Sequence, residues 1–165
     1  MIVVVGSPTV AGAHAKVPYT YAHDDPAYLY TKNSPHPVNL QYSFGKQLAN
    51  IVKAPFLVGH VCKSNSDVLA EIARIKQEFA GKNLFFIAET FTPASQSTVA
   101  SAAGKIFTGI AIGVKYNTLV PSFASVAAGH ESFTSDTDFD DAGHRLFTKV
   151  LLNYIIEHHK EHFGL

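Results

Sequence analysis

The chain has one cysteine, one methionine and no tryptophan among its 165 residues. A lone cysteine, Cys62, excludes an intramolecular disulfide and any cysteine-rich zinc site. Charge is scarce too: 16% of residues are Asp, Glu, Lys or Arg, against roughly 25% in ordinary globular domains. Lys plus Arg equals Asp plus Glu at 13 each, so no field of one sign exists to steer nucleic acid or an anionic membrane. Basic patches interleaved with aromatics are missing as well, which leaves single-strand binding without a footing. No apolar run approaches the roughly 18 residues of a membrane span. The opening MIVVVGSP is too short and too uncharged for an export signal.

What is present is apolar. Hydrophobic residues make up 47% of the chain, enough for a core in a single domain spanning residues 1–165. So little charge on so apolar a chain predicts a surface partly covered by a protein partner or a second copy. Nine histidines make the net charge sensitive to mild acid.

Ile2–Val5 is an uninterrupted β-branched run that stops at Gly6-Ser7-Pro8, the pattern of a strand buried on both faces. Residues 9–37 have no period and are dense in Pro, His, Tyr and Asp. They read as a long loop insertion at a pocket or interface. Residues 41–52 predict a helix with Phe44, Leu48, Ile51 and Val52 inward, and 54–58 a short strand. Ser64, Asn65 and Ser66 offer caps to a helix whose stripe is Val68, Leu69, Ile72, Ile75 and Phe79. Residues 84–88 predict a third strand. Between 93 and 128 the pattern blurs, and the reading is a small-residue helix at 97–107 and a strand at 123–126. A last helix is expected from Asp141 to about His162, capped by Asp140 or Asp141, with a wet, histidine-bearing end. Strands alternating with helices predict an α/β fold with a parallel central sheet. Its ligand crevice would lie past the strand ends, near Ser7, His60 and Glu89.

Three stretches resemble a known family in their order. They are Gly6-Ser7-Pro8 after the first strand, the run from Tyr42 through Ala54–Val58 to Lys63–Leu69, and Asp140-Asp-Ala-Gly-His-Arg-Leu-Phe147. Together they are similar to the SGNH, or GDSL-type, hydrolases. The resemblance implies a flavodoxin-like three-layer α/β/α fold and, in an active member, a serine esterase or acetylhydrolase acting on a small acylated or carbohydrate substrate. It would then assign Ser7 as nucleophile, His144 as base, and Asn65 and Gly59 as oxyanion contacts. The departures fall on the chemistry. Pro8 stands at the nucleophile's place and Asp138 at that of the catalytic His, and a prolyl ring supplies no attacking oxygen.

Local readings stand beside these. Asn65 suits a helix cap as well as an oxyanion contact. His60 suits a loop as well as a ligand. Ser7 before Pro8 suits a plain turn. Asp136, Asp138 and Asp140 alternate like a calcium loop, but Asp141 and Phe147 replace the required Gly and Glu, so a surface loop is expected. His23-Asp24-Asp25 and His158/His162 lack converging partners, so no metal or other cofactor is expected. Tyr19, Tyr21, Tyr28 and Tyr30 suit either a protein interface or packing of their own loop. The expectation is a non-catalytic SGNH-like binding or assembly module. Its binding residues would come from His60, Glu89, Asp138 and the four tyrosines, its partners would be protein copies or a small acylated or sugar ligand, and its setting the cytoplasm or a multi-subunit, viral-type particle.

Overall fold

A computed structural model describes residues 1–16, 37–92, 104–113, 117–123 and 138–165. Residues 17–36 of the 9–37 loop reading, the tyrosine cluster, the His23 group, Asp136 and most of the 97–107 and 123–126 readings therefore lie outside the described residues. The loop's first part is described and opens on a 3-10 turn, Pro8–Ala11, with Thr9, Val10 and Ala11 buried.

The protein is α/β, with five strands in one mixed sheet. Its strands are β1 (Ile2–Val5), β2 (Phe56–Val58), β3 (Phe85–Thr90), β4 (Ile106–Ala111) and β5 (Thr118–Leu119), ordered β2-β1-β3-β4-β5. β1 pairs in parallel with β2 and with β3, placing Val3 beside Leu57 and Phe86. β3–β4 and β4–β5 are antiparallel. The wholly parallel sheet expected from the sequence is thus corrected for its second half. A parallel return needs a crossover of a dozen or more residues, usually a helix. β4 instead returns antiparallel to β3, which needs no such crossover. Ile106 and Phe107, read as the end of a helix, belong to β4.

Each face of β1 is covered, as four buried residues in a row require. Val3 and Val5 pack with Val68, Ile72 and Ile75 of α3 (Asn65–Glu78). Ile2 and Val4 pack with Phe44 and Leu48 of α2 (Phe44–Val52) and with Phe147, Leu151 and Ile155 of α4 (Asp141–His158). The predicted helix at 41–52 is two helices, because Ser43 ends α1 (Pro37–Tyr42) and caps α2 by accepting from the Lys46 amide. Asp140 caps α4 through the Gly143 amide at 2.8 Å, and Ser64 caps α3 through Asp67 at 3.2 Å. Two stripe residues expected inside are outside: Ile51 is 53% exposed and Leu69 69%. No helix among the described residues is long and apolar enough to cross a membrane.

α4 is locked to the sheet by a ring over a glycine. A Cβ on Gly109 would lie 2.5 Å from the Tyr154 hydroxyl, and that hydroxyl donates to the Thr118 carbonyl at 3.1 Å. Gly109→Ala is expected to lower unfolding free energy by about 1–3 kcal/mol through overpacking, measured by urea titration; an unchanged midpoint would show that Tyr154 swings aside freely.

Candidate functional site at the carboxyl ends of β1 and β3

β1 has β2 on one side and β3 on the other, so the chain reverses its winding beside the tips of β1 and β3. This is the position at which open α/β sheets place ligands. Ser7 follows β1 and Glu89 sits near the end of β3, as expected from the sequence. The Ser7 hydroxyl donates to Glu89 Oε1 at 2.6 Å, and the Ser7 amide donates to the same oxygen at 3.1 Å. Lys105, immediately before β4, donates from Nζ to Ser7 Oγ at 3.2 Å and lies 3.6 Å from Glu89 Oε2. All three residues are buried. Gly6 permits the approach, since a Cβ there would meet Glu89 Cβ at 2.6 Å and Oε1 at 2.8 Å.

The hydroxyl is engaged on two sides, donating to the Glu89 carboxylate and accepting from Lys105 Nζ. Lys105 Nζ acts as a donor to the hydroxyl, and the carboxylate that accepts the hydroxyl hydrogen also faces that nitrogen. The Ser7 amide, which an oxyanion would require, is itself engaged by Glu89.

The other candidates are dispersed. His144 is fully buried in the aromatic core, stacked on Phe44 at 5.6 Å and edge-on to Phe139 at 5.7 Å. Its Nδ1 accepts from the Phe44 amide at 3.0 Å, while Nε2 makes no hydrogen bond. Burial pushes its pKa down to about 3, only partly offset by the Ala13 backbone and Asp141. Among the described residues no hydrogen bond joins it to Ser7, so the Ser7–His144 pair that the esterase alternative would need is not formed. Asn65 donates to the Phe91 carbonyl at 2.8 Å and accepts from its amide at 2.7 Å. Its side chain ties α3 to the end of β3, with one of its two amide hydrogens held by that carbonyl.

Gly59 faces Glu71, whose Oε2 would be 2.9 Å from a Cβ there. Exposed His60 donates its amide to the same oxygen at 2.8 Å. Hydrogen bonds from Arg74 lead the effects that hold the Glu71 carboxyl below its usual range. Gly59 and His60 therefore belong to a different cluster from Ser7. Cys62 is inert: burial, then the charges of Glu71, Asp67 and Glu89, push its thiol up to about 12.

Asp138 corrects the surface-loop reading. It is 2% exposed, accepts from the Thr9 hydroxyl and lies 3.9 Å from His14 Nε2. Packing of α4 against the turn that follows Ser7 draws it inward. The wet-end reading of the last helix is likewise corrected for His159, which is buried. Among the described residues no group of three or more His, Cys, Asp or Glu side chains is placed to hold a metal.

Lys105 is the residue that the sequence reading missed. A signal existed: if 106–111 is read as a strand, Lys105 shares the parity of Phe107, Gly109 and Ala111 and must face the interior. The chain matches no protein-family model, no curated protein and no solved structure.

Proposed function

We propose that this chain is a non-catalytic binding or assembly module on an SGNH-hydrolase-like, three-layer α/β/α scaffold. The observation that carries the reading is the Ser7 hydroxyl held between Glu89 at 2.6 Å and Lys105 at 3.2 Å, with no imidazole bonded to it among the described residues. A serine esterase needs a base free to take the hydroxyl proton and donors free to receive the oxyanion. Here the serine amide and His144 are engaged within the fold, and one of the two Asn65 amide hydrogens is held by the Phe91 carbonyl. Low charge supports contact with protein partners or further copies, as in a multi-subunit particle, and a small acylated or sugar ligand would be bound without turnover.

A fluorophosphonate serine probe together with p-nitrophenyl acetate tests this. Wild-type chain is expected to label no more than Ser7→Ala and to release nitrophenol no faster. Labelling that maps to Ser7 and disappears in Ser7→Ala would establish the esterase instead.

A further inference from the structure

We infer that residues 159–165 form an acid-released clasp on the amino-terminal end of the sheet. This goes beyond the binding reading and does not depend on it. After α4 the chain turns through a short 3-10 segment, Glu161–Phe163; His159 before it and His162 and Phe163 within it lay three rings against Phe85 of β3. His159 stands 4.9 Å from that ring, His162 5.5 Å and Phe163 5.2 Å, centroid to centroid. The His162 carbonyl accepts from the Asn83 side chain at 3.5 Å. His159 Nε2 lies 3.0 Å from the Tyr154 hydroxyl, which already donates to Thr118 of β5. A neutral imidazole fits that chain by donating from Nε2.

The His162 end of the clasp suits a neutral ring and not a cationic one, whereas His159 can donate to Tyr154 in either state. His162 Nε2 is buried and has no hydrogen-bond partner. Phe85 and Phe163 offer a proton there no acceptor. The titratable groups around the two rings add little compensation. α4 contributes Tyr154, His158 and Glu157, the last 75% exposed and 3.9 Å from His158. The segment itself contributes Lys160 and Glu161, and the amino terminus at Met1 brings a further positive charge near His162. β5 supplies only the Thr118 hydroxyl, and β3 only Phe85. A depression of about 620 Å³ lined by His158, His159 and His162 lies alongside.

Burial, followed by His158 and His162, lowers the pKa of His159, while burial followed by the amino terminus lowers that of His162. Both rings therefore take protons more readily when released than when docked. The clasp is fully favoured above the ordinary histidine range and loses stability as pH falls through it. Release would uncover Phe85 and Phe163 and the sheet end beneath them.

Hydrogen exchange of the full chain, corrected for intrinsic rate, tests this at about pH 7 and about pH 5. The amides of His159, Gly164 and Leu165, bonded to Ile155, Glu161 and Lys160, should lose protection by about tenfold or more beyond any loss shared with α3 through global stability. His162→Phe, which keeps a ring on Phe85, should hold the clasp to lower pH. The proposal is overturned if residues 159–165 are equally protected at both pH values, or if they loosen only together with α3. An NMR titration of the wild-type imidazoles guards against a misfolded variant. His159 and His162 must titrate with the same midpoint as the loss of protection, and separate midpoints would also overturn it.

Discussion

Glu89→Ala should destabilise the protein by about 3–5 kcal/mol, the cost of leaving a buried cation without its partner. The substitution strands the Lys105 ammonium, which would keep only the Ser7 hydroxyl, and removes the acceptor of both the Ser7 amide and its hydroxyl. The double substitution Glu89→Gln with Lys105→Met provides the control. Gln retains an amide oxygen for both Ser7 donors, and Met fills the volume of the lysine stem without its charge. Replacing a buried ion pair by neutral groups of like shape is often neutral or stabilising, so the double variant should recover most of the loss. Urea unfolding with matched m-values measures both. A loss under about 1 kcal/mol in Glu89→Ala would mean that water reaches Lys105 and that the trio is not the closed lock described above.

The second large effect is acid lability centred on His144. In the folded protein its pKa is about 3, against 6.5 in the unfolded chain. Above 6.5 the ring is neutral in both states and its contribution is complete. As pH falls below that value the unfolded chain takes up a proton that the folded chain refuses. Stability therefore declines by up to about 1.4 kcal/mol per pH unit, and the decline stops near the folded value. His144→Asn separates this term from the rest. Its carbonyl oxygen can replace Nδ1 as acceptor for the Phe44 amide, and it does not titrate. Between about pH 6 and pH 5 the variant should show a slope flatter by roughly 1.4 kcal/mol per unit. Superimposable slopes would mean that His144 is protonated in the folded state or not buried.

Much of the scaffold was legible because its causes are local. Four β-branched residues before Gly6 announce a strand covered on both sides. Ser64 three residues before Asp67, and Asp140 three before Gly143, are caps whose geometry is written within one helical turn. What misled was also local. Ile51 and Leu69 satisfy a helical period, but the period says nothing of where the opposing sheet ends. The small-residue stretch after β3 carries weak propensity of either kind, and the alternation of Phe107, Gly109 and Ala111 was concealed by the glycine.

Composition and short-range pattern determined that this chain folds as α/β around a buried first strand, with Ser7 and Glu89 near the strand tips. Only tertiary structure decided what stands beside the serine. Glu89 is 82 residues away from it and Lys105 is 98, distances at which no periodicity or capping rule operates. The antiparallel turn of β4 against β3 brings the lysine home. It pairs Glu89 with Phe107, which sets Lys105 on the same inner face, while α4 carries His144 into the aromatic core instead. Pairing register and helix docking, which arise from burial over the whole chain, chose an ammonium where the sequence had offered an imidazole.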